Sequence, residues 1–190
     1  MRSLIVMVSF LVIGIWAGIG RAADVGDAAP EFTCLDDQGQ LWNSRDHVGK
    51  GPVVIYFYPS DFAFCCTRQA LRYRDSQDEL AKECVEVIGI SGDAVESHRL
   101  FKAANGLKCA LLSDTEGQVA RLFGVPLRIG GKAMAADEHG QTTEIPRKFT
   151  AARWTFIIGT DGRILHRETA AAPLKDSQVV LEFLRKQNAE

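Results

Sequence analysis

Apolar positions in this chain fall into short blocks rather than one repeating period. Val53 to Tyr58 is an unbroken apolar run ended by Pro59, which predicts a strand buried on both faces. Val85 to Ser91 reads the same way, and Ala110 to Leu112 is a shorter version. Trp154 to Gly159 is a third core strand, which Gly162 turns into Arg163–Arg167. Between these runs the pattern is amphipathic. Thr67 to about Lys82 is charged, with apolar positions at Ala70, Tyr73, Leu80 and Ala81, and predicts the first helix. Glu96–Ala104 predicts a second, closed by Asn105-Gly106. Glu116–Phe123 predicts a third, ended by Gly124, and Ser177–Gln187 a last one. Upstream, Phe32–Leu35 and Gln40–Asn43 flank Asp36-Asp37-Gln38-Gly39 as a hairpin, and Gly49–Pro52 is a loop. Residues 125–152 show no period, because Gly130-Gly131, Gly140 and Pro146 interrupt them. They read as a long irregular loop, of the kind that is functional or mobile. The βαβ order predicts an α/β fold: a central mixed sheet with helices on both faces and an N-terminal β-hairpin.

The 190 residues suffice for one domain with a real core, placed at residues 24–190. A formal charge of −2 leaves no basic field for nucleic acid. The one local basic cluster, Arg68, Arg72 and Arg74, reads as a solvated helix face. Residues 1–22 read as a targeting segment. Arg2 supplies its positive start, Leu4–Ile19 is apolar and uncharged, and Gly20-Arg21-Ala22 leads to a cleavage point before Ala23. The apolar run is shorter than the ~20 residues of a spanning helix. A cleaved secretory signal is therefore the first reading, and an uncleaved membrane anchor the alternative. Either places the domain outside the cytoplasmic membrane, periplasmic, secreted or membrane-held.

Cys34, Cys65, Cys66, Cys84 and Cys109 are an odd set, so a monomer keeps at least one free thiol. No zinc spacing is present. His47, His98, His139 and His166 are dispersed and read as surface residues, and Trp42 and Trp154 as core or strand-edge aromatics. One segment carries chemistry. The strand Val53–Tyr58 stops at Pro59, a short loop follows, and a thiol stands where a polar helix begins. Unpartnered N–H groups and the positive end of the helix dipole stabilise a thiolate there.

That segment resembles the peroxiredoxins. Their Pro-x-x-x-Thr-x-x-Cys turn is matched by Pro59 and Cys66, and Tyr56-Phe57-Tyr58 with Thr67 resembles the bacterioferritin-comigratory, or Q-type, branch. Val25-Gly26-Asp27, Ala29-Pro30 and Phe32 resemble the family's opening. Val87–Ser91 with Asp93, Leu111–Asp114 and Phe123-Gly124-Val125 resemble later elements. Arg153–Ile158 with Asp161-Gly162 resembles the strand that carries the family's active-site arginine. The resemblance implies a thioredoxin-like fold and a thiol-dependent peroxidase that needs no cofactor or metal. Cys66 would attack the peroxide and become a sulfenic acid, with Arg153 beside it. Pro59, Ala63, Phe64 and Cys65 would line the substrate, and backbone N–H groups around Phe64–Cys66 would bind its oxygens. Tyr58 and Phe62 would form an apolar collar.

Three departures qualify this picture. Ala63 stands where the family has threonine, so a hydroxyl that orients peroxide and thiolate is missing. Phe64 and Cys65 replace proline and glycine, and Leu71 occupies the place of a resolving cysteine. Apart from these three, Gln69 stands where the branch often has glutamate. A vicinal Cys65–Cys66 disulfide needs a distorted peptide. Parallel strands would put Cys84 and Cys109 at the opposite sheet edge, ~17–20 Å away. Cys34 is unplaced in the hairpin, and small apolar packing accounts for it, Cys84 and Cys109. The expectation is a one-cysteine cycle with an external thiol or thioredoxin-like reductant, in a monomer or weak dimer. Two other readings stay open: a weakly active redox sensor, favoured by Ala63, and a thiol–disulfide oxidoreductase using Cys65 with Cys66.

Overall fold

The computed structural model describes residues 21–136 and 142–188. The expected leader therefore lies outside the described residues except for Arg21 and Ala22, and so does His139. No described helix is long and apolar enough to cross a membrane.

The hairpin forms as expected, with β1 (Thr33–Asp36) antiparallel to β2 (Leu41–Asn43). The run at 53–58 becomes β3 (Val53–Phe57), buried at every position. A helical stretch follows as α1 (Phe64–Asp75) and α2 (Gln77–Lys82), then β4 (Glu86–Ser91) and α3 (Val95–Asn105). Gly106 ends α3 in the left-handed conformation at φ 60°. Next come β5 (Ala110–Ser113) and the short α4 (Gln118–Leu122). After the segment discussed below, β10 (Trp154–Ile158), β11 (Ile164–Glu168) and α5 (Asp176–Gln187) complete the domain.

The seven-stranded sheet runs β11-β10-β3-β4-β5-β1-β2. Strands β3, β4 and β5 are parallel, and β10 is antiparallel to β3. The period of two sorts the continuous apolar run onto two cores. Val53, Ile55 and Phe57 join Phe123 and Phe156 on one face. Val54, Tyr56 and Tyr58 join Cys66, Tyr73, Val180 and Leu184 on the other, under α1 and α5.

Three expectations need correction. The first helix starts at Phe64, not Thr67, and breaks at Ser76; Ala81 lies exposed. Among the described residues, the segment 125–152 is not irregular. It holds β6 (Leu127–Ile129), β7 (Lys132–Ala136), β8 (Thr142–Pro146) and β9 (Phe149–Ala151). Strands β6 and β9 pair, β7 and β8 pair, and backbone bonds at Gly130 and Gly131 join the two ladders into one ribbon. The third correction concerns His98, which is fully buried rather than at the surface.

Candidate active site

Helix α1 buries Cys66, Gln69, Ala70 and Tyr73. Spacings of three and four residues place these on one face, so the Cys66 thiol turns toward the sheet. Its neighbour Cys65 is exposed. Ala63 is the N-cap, and the first closed bond runs from the Thr67 N–H to the Ala63 carbonyl at 2.8 Å. The N–H groups of Phe64, Cys65 and Cys66 precede that bond and have no intrahelical partner. Ala63 offers no side-chain cap to them. They and the helix dipole favour an anion at this end.

Arg153 reaches the thiol because of strand geometry. On β10, Ile157 faces the α1–α5 core, and Thr155 bonds to α5. Arg153, two residues before Thr155, projects to that same side. The register Trp154–Phe57 sets it beside the end of β3, where the Pro59 loop begins. Its Nη2 donates to Cys66 Sγ at 3.1 Å, and its Nη1 donates to Gln69 Oε1. Gln69 Nε2 in turn donates to Asp176 Oδ2 at 2.6 Å. Tyr73 Oη (2.7 Å) and Thr155 Oγ1 (2.9 Å) donate to that same oxygen. Burial pushes the Asp176 carboxyl above its usual range, while the bonds from Tyr73, Gln69 and Thr155 pull it back.

The loop before Cys66 is held by a second buried network. The Arg147 guanidinium, at the end of β8, donates to the Pro59 carbonyl and pairs with the Asp93 carboxylate. Asp93 Oδ2 also accepts from the Asp61 N–H at 2.8 Å and from Ser91 Oγ at 2.6 Å. The Asp61 carboxylate accepts from Tyr58 Oη at 2.7 Å and Ser97 Oγ at 2.8 Å. His98 Nδ1 lies 2.8 Å from Asp61 Oδ2, and its Nε2 lies 3.2 Å from the Leu112 carbonyl. Both ring nitrogens thus face acceptors, which the imidazolium satisfies fully. Burial alone would lower the His98 pKa; the Asp61 carboxylate and its hydrogen bond, with Asp93 and the Leu112 carbonyl, outweigh it, and the net direction is up. Asp61, Asp93 and His98 are clustered closely enough for a metal ion. Asp93 Oδ2, the Asp61 carboxylate and both His98 nitrogens are already bonded to protein partners, Arg147 supplies a cation beside Asp93, and only Asp93 Oδ1 is left without a hydrogen bond, so the donor set does not suit a metal.

Phe62 is the strained residue of this loop, at φ 56°. The Ala63 N–H bonds the Asp61 carbonyl across it at 2.7 Å, closing a three-residue turn. Its ring packs edge-on against Phe101 at 5.2 Å. Such a conformation costs on the order of 1–3 kcal/mol and persists where its surroundings fix it. The collar expected of Tyr58 does not form. That side chain is buried among Tyr56, His98 and Phe101, with its hydroxyl on Asp61.

Of the other expected residues, Pro59 contributes its carbonyl to Arg147, and Phe64 is 73% exposed with Arg68 over its ring. None of the five cysteines is in a disulfide. Cys34 is buried in the hairpin, and burial with the nearby Asp114 carboxylate pushes its thiol up to about 12. Cys84 is exposed, against the expectation of apolar packing, and sits at φ 52° after α2. Cys84 and Cys109 line a cavity of about 510 Å³ with Tyr73, Arg74, Lys102 and Leu107. Val53 pairs with Glu86 and Ile88 with Ala110, so that cavity sits at the start of the parallel strands, while Cys66 follows their ends. Sequence reasoning missed Asp61, Arg147 and Asp176. Tyr58 apart, their side-chain partners lie far off in the chain, and although Tyr58, Pro59, Asp93 and Thr155 stand in quoted motifs, nothing local there marks what they bond.

Comparison with known proteins agrees with this geometry. The AhpC/TSA family model matches residues 25–167. The chain is 44% identical over 106 residues to "Peroxiredoxin Q, chloroplastic" of Oryza sativa subsp. japonica, covering 56% of this chain and 48% of that one. It is 41% identical over 102 residues to "Putative peroxiredoxin bcp" of Coxiella burnetii, covering 54% and 67%. The chain spans about half the length of the plant relatives it matches. Among solved structures, peroxidoxin BcpB from Mycobacterium tuberculosis superposes with a TM-score of 0.72 at 28% identity, over 86% of this chain and 97% of that one. The fold is thioredoxin-like, as are those of such neighbours.

Proposed function

Because the chain belongs to the AhpC/TSA family, with relatives in the peroxiredoxin Q and bcp branch, we propose that it is a thiol-dependent peroxidase whose nucleophile is Cys66. The observation that carries the proposal is Arg153 Nη2 at 3.1 Å from a Cys66 Sγ seated in the first turn of α1. In this reading the Cys66 thiolate attacks the terminal oxygen of a hydroperoxide. The S–O bond forms as the O–O bond breaks, and the alkoxide or hydroxide leaves and takes a proton. Cys66 is oxidised to the sulfenic acid, and the peroxide is reduced to alcohol or water. Arg153 and the open N–H groups at Phe64–Cys66 stabilise charge on the departing oxygen.

Recovery of the thiol is assigned to an external reductant. One thiol condenses with the sulfenic acid, releasing water and forming a mixed disulfide; a second thiol displaces Cys66 and completes the reductant's disulfide. Supporting this one-cysteine cycle are Leu71 five residues beyond Cys66, Cys34 buried in the hairpin, and Cys84 and Cys109 at the far strand ends. We further assign the leader at residues 1–22 to export, so the reductant would be a periplasmic or extracellular thiol. Ala63 favours a second reading, a sensor that oxidises slowly and turns over little.

The test is peroxide consumption by the reduced protein lacking residues 1–22 with excess thiol, and, in a separate sample without thiol, trapping of the sulfenic acid by dimedone. Turnover with the adduct on Cys66 supports the peroxidase. An adduct without turnover supports the sensor, and no adduct contradicts both.

A further inference from the structure

We propose that Asp176 is a positioning residue for the Cys66 thiolate, acting through Gln69 and Arg153 without touching the sulfur. This rests on the peroxidase reading above and adds a residue on the closing helix to it. Asp176 is the first residue of α5 and is buried, at 2% exposure. Its Oδ2 gathers donors from two other elements, Gln69 and Tyr73 of α1 and Thr155 of β10. The ionised carboxylate only accepts hydrogen bonds. Gln69 must therefore turn its NH2 group toward Asp176, which leaves Oε1 facing Arg153 Nη1. A reversed amide would set donor against donor at Arg153 and acceptor against acceptor at Asp176.

The fixed Oε1 holds one arm of the guanidinium, and the planar fork then directs Nη2 at Cys66 Sγ. The groups around Asp176 are accounted for: Gln69 and Tyr73 on α1, Thr155 on β10 and Arg153 just before it. Tyr56 on β3 stacks on Tyr73 at 4.7 Å, and burial holds both phenols neutral.

The decisive test exchanges the amide and the carboxylate. The full chain is prepared with Cys65→Ser as the common background, so that only Cys66 reports at the helix start. Onto it are placed Gln69→Glu, Asp176→Asn and the two together. Two readouts are taken: the second-order rate with hydrogen peroxide, and the pH profile of Cys66 alkylation by iodoacetamide. Gln69→Glu sets two carboxylates face to face, and Asp176→Asn frees the Gln69 amide to reverse. Each single change is expected to slow peroxide oxidation roughly tenfold or more and to move the alkylation profile about one pH unit upward. The double variant again holds one carboxylate and one amide, and should return to within about threefold of the background.

A merely structural role would leave the double variant no better than the worse single. That result, or singles within about twofold of the background, overturns the proposal. Circular dichroism checks folding; if Asp176→Asn does not fold, Gln69→Leu replaces it. Leu offers no acceptor to Arg153, so an unchanged alkylation profile there also overturns the proposal. Alkylation needs no peroxide chemistry. If the background oxidises no faster than a free thiol while its profile still shifts and recovers, the peroxidase reading fails and the positioning role stands.

Discussion

Cys66 and Arg153 lie 87 residues apart in the chain, and Arg153 Nη2 stands 3.1 Å from Cys66 Sγ. The contact has two origins: the buried face of α1, and the strand period that sends Arg153 to the side of Thr155 and Ile157. If this cation stabilises charge in the transition state, Arg153→Met should lower the rate of peroxide oxidation by a factor on the order of 10²–10³. Arg153→Lys keeps the charge but cannot hold Gln69 and the sulfur together, and should fall between. Stopped-flow rates of the two variants check this, and an Arg153→Met rate equal to wild type would remove Arg153 from the mechanism.

Ala63 caps α1 with no side-chain hydrogen bond. Ala63→Thr would supply a hydroxyl to the first-turn N–H groups, worth about 0.5–2 kcal/mol of stability. It should also restore a group that orients peroxide, raising the oxidation rate roughly tenfold. Thermal melting and the peroxide rate are read on the same sample. A rise in stability with no rise in rate would mean that the position serves the helix alone.

The cysteines differ sharply in surroundings. Cys65 and Cys84 are exposed, and Cys34 is buried with its thiol pushed up to about 12. Iodoacetamide should label Cys65 and Cys84 in the native protein and Cys34 only after unfolding. Stoichiometric peroxide should yield no internal disulfide to Cys66. Peptide mapping under non-reducing conditions decides; a Cys66–Cys65 or Cys66–Cys109 cross-linked peptide would replace the one-cysteine cycle with a resolving one.

The buried His98–Asp61 pair makes stability depend on pH. An unfolded histidine titrates near ~6.5, and His98 is raised above that in the fold. Its contribution is therefore complete below about pH 6.5, declines as pH rises toward the folded value, and is lost above it. The gap in melting temperature between wild type and His98→Asn should be widest near pH 6 and narrow as pH rises, with about pH 6.5 as the point where it begins to close. A gap that stays constant with pH would mean that His98 is held neutral.

The sheet was largely legible in the chain, and so was the placement of Cys66 in the first turn of a helix. Val53–Tyr58 has no polar position to leave doubt, and Gly106 closes α3 at the place its residue type suggests. Motif spacing singles out Cys66, and the resemblance of Arg153–Ile158 to the family's arginine strand singles out Arg153; the two side chains meet. The start of α1 was hidden because its cap is Ala63, with none of the usual capping side chains, and because the apolar Phe64 faces solvent. The ribbon at 127–151 was hidden for a related reason. Arg128 and Ile129 are both exposed, so β6 shows no buried-exposed alternation, and Gly130-Gly131, at φ 75° and 129°, reads as a break when it is a joint. His98, Arg147 and Asp176 were illegible because a polar side chain far from its partner carries no local signal of burial.

The most direct measurement is the second-order rate of Cys66 oxidation by hydrogen peroxide in the reduced wild-type protein, with Cys66→Ser and Cys65→Ser beside it. The account predicts rapid oxidation that Cys66→Ser abolishes and Cys65→Ser retains. A wild-type rate no faster than that of a free thiol would contradict it.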